Sequence, residues 1–296
     1  MSETAQVQSS REELRREEVI NTVQDSGFGV VEKPLSLWER VTDNDAIRKG
    51  AVLLVLALIW EVYARWNDNP LLFPTFTATA EAFFSGIFSG RLLNAAWSSI
   101  ALLMKGYVVG LVIAALLTAF ASATRIGADL LETLTSMFNP LPSIALLPLA
   151  MIWFGLGEAS IVFVLIHAVL WSVALNTHTG FRGVSPTWRM VGRNYGLSGL
   201  RYVLKILIPG AFPSILTGMK IGWAFAWRTL IAAELVFGSS SGSGGLGWYI
   251  FQNKNMLDIP NVFAGLLTVI LFGLLVENFI FRVVERRTIG RWGMQT

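Results

Sequence analysis

Between Ala51 and Phe281 the chain is built of apolar blocks of about twenty residues, the length a helix needs to cross a hydrocarbon core about 30 Å thick. In lipid the backbone N–H and C=O groups of such a block have only one another as partners, so the blocks predict helices. Composition agrees: 53% of the 296 residues are hydrophobic and 15% are charged, whereas soluble domains carry about 25% charged residues. The expected fold class is all-α, a polytopic membrane protein with about six transmembrane helices.

The expected spans are Ala51–Tyr63, Asn94–Ala123, Ala128–Trp153, Ser160–Asn176, Ile215–Phe237 and Val262–Phe281. Pro70 and Pro74 mark a turn after the first span, and an amphipathic helix of about ten residues should follow at the outer surface. Pro140, Pro142 and Pro148 fall in the third span and should kink it. Membrane helices tolerate this where protein or a cavity satisfies the freed carbonyls. Arg48, Lys49, Arg125, the stretch after Asn176 and Arg282, Arg286, Arg287 and Arg291 share one side, while the other holds Arg65, Arg91 and Lys254. The positive-inside rule therefore expects both termini in the cytoplasm. Three regions result: a cytoplasmic tail over 1–47, a membrane domain over 48–287 and a short cytoplasmic tail over 288–296. The first tail opens polar and charge-dense, suiting a solvated helix or disorder. Its Pro34–Ile47 segment suits either a helix on the inner surface or a linker. Its start lacks an apolar h-region, so no cleavable signal is expected.

Several functions are disfavoured. The net charge of +3 comes from basic residues at membrane edges, with no aromatic-interleaved basic face for nucleic acid. There is no cysteine. His167 and His178 stand eleven residues apart, about 16 Å along a helix, too far to share a metal ion. His167 reads as a packing or interhelical hydrogen-bonding residue ahead of a proton relay, and His178 as interfacial. Gly238–Gly247 is rich in serine and glycine, but no G-K-[ST] close follows, so it reads as a flexible or tightly turned outer loop. With no ATPase motif in the chain, energy must come from another subunit or an ion gradient. No internal repeat is visible, which weakens the inverted-repeat carrier alternative. An intramembrane enzyme lacks a nucleophile–base pair or metal cluster.

Charges inside the spans are the sharper clue. A charge at a helix centre costs about 2.5–3.5 kcal/mol on insertion scales and usually pairs or lines a polar cavity. Arg228 and Glu234 are six residues apart, on different helix faces, so each should find partners on other helices. Arg228, with Lys105, either lends positive potential to an anion path or is structural, as an ion pair or a snorkelling lysine. Trp153, Trp171, Trp223 and Trp227 either line a cavity or pack between helices. The expected translocation path comprises Arg228, Glu234, Trp227, Lys105, Pro142, Pro148 and Trp153.

The loop over 181–213 carries five basic residues, Arg182, Arg189, Arg193, Arg201 and Lys205, and no Asp or Glu. Its pattern is a short polar helix, a breaker at Gly196, a second amphipathic helix and Ile208-Pro209. This resembles the EAA motif of the membrane subunits of bacterial ABC importers, with Met190-Val191-Gly192 in the triplet, Gly196 as the glycine and Ile208-Pro209 as the close. FNPLPSIALLPLAMIWFGLGE, AFAWRTLIAAELVFG and GGLGWYI resemble the third span, fifth span and outer turn of the nitrate, sulfonate and taurine subgroup. Asn139 departs from that pattern, which often has Arg there.

The resemblance implies a type I importer permease fold, two permease copies, two ATP-binding subunits and an external substrate-binding protein. ATP and magnesium would sit on the partner, with no cofactor on this chain. Trp188, Arg189, Met190, Val191, Gly192, Arg193, Asn194 and Tyr195 would form a helix seated in a groove on the ATPase. Gly196 would allow the turn after it, and Pro209 would end the second helix before the fifth span. The loop's basic residues would meet acidic groove residues or anionic lipid headgroups. The implied cargo is a small anion, a sulfonate such as taurine first, then nitrate or bicarbonate, in a bacterial inner membrane. Alternatives are a neutral or cationic nutrient such as a pyrimidine precursor, or an ion-gradient carrier with no ATPase.

Overall fold

A computed structural model describes residues 45–237 and 244–288. The polar N-terminal tail, most of the Pro34–Ile47 segment, the serine-rich start of the outer loop and Arg291 lie outside these residues. Among the described residues all regular structure is helical. Contacts divide the chain between Val55 and Leu56, so the first unit holds only the start of the first helix among described residues and the second holds every later element.

The helices are α1 (Asp45–Asn67), α2 (Phe76–Phe88), α3 (Arg91–Ala123), α4 (Arg125–Phe138), α5 (Leu147–Phe154), α6 (Glu158–Gly183), α7 (Pro186–Asn194), α8 (Gly199–Tyr202), α9 (Ile208–Phe237), α10 (Leu246–Asn255), α11 (Ile259–Leu275) and α12 (Arg282–Arg287). α8 runs through a π-helical turn, Val203–Leu207, into α9, and a second π-helical turn, Val276–Phe281, joins α11 to α12. Among the described residues four helical stretches are long and apolar enough to cross a membrane: α3, α6, Gly199–Val236 and Ile259–Arg287. The pair Arg125–Phe138 and Ser143–Phe154, bent by 88°, is a fifth if it is counted as one span. That bend falls within the expected third span, Ala128–Trp153. Asn139 ends α4, Pro140 cannot extend it, and a 3-10 turn from Ser143 leads into α5, where Pro148 sits in the first turn. The expected first span lies within α1, whose apolar stretch meets Glu61 and Arg65 near its end. The expected surface helix is α2, capped by the Thr75 hydroxyl, which accepts from Ala78 N–H at 3.2 Å.

α6 is the axis of the bundle. In its most apolar stretch 56% of residues are buried, against 17% for the final span. Small residues on both neighbours let them close on it. A Cβ added to Gly106 of α3 would stand 2.5 Å from the Leu165 Cβ, and one on Gly218 of α9 would stand 2.8 Å from the Asn176 Cβ. Membrane helices associate by such close packing, since lipid tails are as apolar as leucine. Large apolar side chains remain exposed around the bundle, among them Leu116, Ile152 and Phe279. They form the surface expected to meet lipid.

At the far end of α1, Trp60 donates from Nε1 to the Pro74 carbonyl at 2.9 Å, and its ring lies 5.6 Å from Phe263 of α11. The expected turn at Pro70 and Pro74 is thereby fastened to the bundle.

Candidate functional site

The 181–213 loop has the predicted helix–turn–helix order, with tighter joints than the sequence shows. Ser185 caps α7, its hydroxyl accepting from Trp188 N–H at 3.4 Å, and Pro186 opens the first turn. At the other end Gly196 has φ +69°. Its N–H donates to the Arg193 carbonyl at 2.9 Å, and Leu197 N–H donates to the Gly192 carbonyl at 3.0 Å. This pair of bonds is a Schellman close, which needs a left-handed residue where Gly196 stands. Leu197 then packs against a small apolar cluster of Phe181, Val184, Ile206, Leu207 and Ala211.

Within the triplet, Gly192 is buried while Met190 and Val191 are exposed. A Cβ on Gly192 would meet the Ile206 side chain at 2.8 Å, so this position holds α7 against the π-helical turn. Arg189 ties α7 to α6 instead of facing outward. Its Nε donates to the Val184 carbonyl at 3.1 Å and its Nη2 to the Phe181 carbonyl at 2.5 Å, a cation on the carbonyls that close a helix C-terminus. Trp188, Met190, Val191, Arg193 and Asn194 are left exposed on α7, and Tyr195 at its cap.

Pro209 does not end the second helix. The helix runs unbroken from Gly199 to Val236. In the wider π turn Ile208 N–H bonds to the Val203 carbonyl, so the ladder is already loosened where the proline ring and its missing N–H arrive.

The bent third span opens a cavity of about 350 Å³ against α6 and α9. Asn139, Pro142, Ser143, His167, Trp171 and Arg228 are in its lining. His167 behaves as expected for an interhelical residue: its Nδ1 is 3.2 Å from the Ser143 hydroxyl, and its ring stands edge-on to Phe138. Trp171 stacks on Phe138 at 5.3 Å. Arg228 donates from Nε to the Ala224 carbonyl of its own helix at 3.0 Å and lies 5.3 Å from the Phe225 ring centre. Among the described residues no carboxylate pairs with it, so the interhelical partner expected for it is not found.

The structure separates the other expected path residues from this cavity. Lys105 pairs with Glu158, at the start of α6. Trp227 lines a neighbouring cavity of about 280 Å³ with Lys220 and Glu277, which Arg228 also borders. Pro148 and Trp153 are exposed, the latter against Phe163. Glu234 is 3% exposed and serves a latch that sequence reasoning missed. The Ser99 hydroxyl lies 2.8 and 2.9 Å from its oxygens, Gly247 N–H donates to it at 2.9 Å, and Leu246 N–H donates to Ser99 at 2.8 Å. Glycines 245 and 247 flank Leu246 because a Cβ on either would strike the Glu234 side chain. That spacing was the one available signal. His178, expected near the membrane interface, stands toward the end of α6 and is 7% exposed.

Residues 106–290 match the binding-protein-dependent transport system inner membrane components, and the chain belongs to that family. It is 28% identical over 256 residues to a putative ABC transporter permease protein of Methanocaldococcus jannaschii, covering 85% of this chain and 95% of that one. It is 27% identical over 241 residues to the nitrate import permease protein NrtB of Synechocystis sp., covering 79% and 86%. It is also 27% identical over 244 residues to the taurine transport system permease protein TauC of Escherichia coli, covering 80% and 86%. The chain is thus an ABC permease, a non-catalytic subunit of a complex whose ATPase is a separate chain.

Proposed function

We propose that this permease imports a small anion, a sulfonate such as taurine or else nitrate, delivered by an external binding protein. Two copies pair, two ATP-binding subunits seat the α7 helices, and both termini and α7 face the cytoplasm across the inner membrane. Closure of the ATPases moves α7, and the joints at Arg189, Gly192 and Gly196 pass that movement to α6 and α9.

Arg228 carries the anion reading. It borders the cavity at the helix break, and among the described residues its guanidinium is held only by its own helix and a ring. At an effective dielectric of about 20, a monoanion about 4 Å from it gains about 4 kcal/mol before desolvation. Similarity to the nitrate and taurine permeases supports the same class. The test is uptake by the reconstituted complex with nitrate, taurine and an uncharged nutrient. An anion should drive uptake, and Arg228→Ala should lower it at least tenfold with the complex still assembled. Stimulation by the uncharged nutrient alone would overturn the assignment.

A further inference from the structure

A second cavity, about 590 Å³, opens between the start of α4, the end of α6 and the root of α7. Arg125, Arg182 and Arg189 line it against Asp129 and Glu132, together with His178. Arg182 is committed to Glu132 at 2.6 Å, and Arg189 to the carbonyls closing α6. Arg125 has no ion-pair partner among the described residues. The start of α4, a 14-residue helix, adds its partial positive charge at the same place.

His178 is 7% exposed, and neither ring nitrogen has a partner among the described residues. A neutral imidazole presents one donor and one acceptor, and burying such groups unmet is unfavourable. Both nitrogens are closed off from solvent, so an anion in the cavity would meet the guanidinium groups of Arg125, Arg182 and Arg189 and not the imidazole. Three guanidinium groups against two carboxylates leave a single positive charge with His178 neutral. That balance suits one negative charge and disfavours two.

We infer that this cavity is a second anion site, taking a small monovalent oxyanion, and that its occupancy acts on α7 through Arg189. The inference rests on the proposed anion import and deepens it. The Arg228 cavity borders the end of α4 and this one its start, with His167 and His178 about 16 Å apart along α6. Anion that has crossed meets the second site beside the joint that carries the ATPase stroke. Bound there, it competes with the Phe181 and Val184 carbonyls for the Arg189 guanidinium. The α6–α7 tie slackens and ATP turnover falls.

The test uses the complete complex in lipid nanodiscs, without binding protein, measuring ATP hydrolysis against nitrate, methanesulfonate, sulfate and chloride at constant ionic strength. Each variant is scaled to its own anion-free rate. Nitrate and methanesulfonate should lower the rate at least threefold at saturation, with sulfate much weaker. Arg125→Gln should move the nitrate midpoint at least tenfold upward, and Arg125→Lys should restore most of it. An equal response to chloride, sulfate as strong as nitrate, or a midpoint moved by Arg228→Ala and not by Arg125→Gln would each overturn the site. If the complex imports no anion yet the Arg125-dependent response persists, the import reading fails and the site stands. If anions are imported and that response is missing, the site alone fails.

Discussion

The turn at Gly196 offers the cleanest perturbation of coupling, because its cost lies in the backbone alone. A Cβ built there meets nothing within 4 Å, so side-chain crowding plays no part. The residue sits at φ +69°, where an ordinary L-residue costs about 1–2 kcal/mol, Asn less, and a β-branched residue more. The chain can escape that strain only by abandoning the bonds from Gly196 to Arg193 and from Leu197 to Gly192, each worth about 0.5–1.5 kcal/mol. Either route costs Gly196→Val about 2 kcal/mol or more, roughly a thirtyfold loss in the population holding the α7 turn. Gly196→Asn should lose less than about fivefold, and Gly196→Ala should fall between. The assay is substrate moved per ATP hydrolysed by reconstituted complexes, with membrane insertion checked separately. The order Asn, Ala, Val in falling coupling supports the backbone argument. Wild-type coupling in the valine variant, or an asparagine variant as poor as valine, would refute it.

The latch makes two further predictions. Gly247→Ala puts a Cβ 2.5 Å from the Glu234 Cβ and 2.6 Å from the Ile231 carbonyl, so the purified permease should lose several degrees of thermal stability. Ser99→Ala removes one partner of a buried carboxylate and leaves Leu246 N–H unpaired, a cost of about 1–3 kcal/mol visible in the same melt. Lys105→Ala should barely move the melting temperature, because its pair with Glu158 is exposed and such pairs contribute about 0–1 kcal/mol. A drop as large as that of Ser99→Ala would show Lys105 to be structural in a way its exposure denies.

Features set by a residue's own backbone were legible in the chain, and features set by pairing across it were not. Gly196 could be read because a breaker between two helical patterns asks for a residue that tolerates positive φ. The bend at Pro140 and Pro142 could be read because proline removes a bond wherever it stands. Pro209 misled for the same reason: the local rule says stop, but a π turn packed on Gly192 through Ile206 absorbs the proline and the helix continues. Glu234 and Lys105 misled differently. A charge in an apolar span announces that it needs a partner without saying which, and the partners stand 135 residues away at Ser99 and 53 away at Glu158. Once those partners are known, neither residue is left to line the central cavity. Arg228 is the instructive remainder. The same sequence rule that flagged all three expects a partner for it as well, and among the described residues the fold supplies only its own helix and a ring. The difference between the paired charges and this one is what turns a general expectation about charge in an apolar span into a particular expectation about cargo.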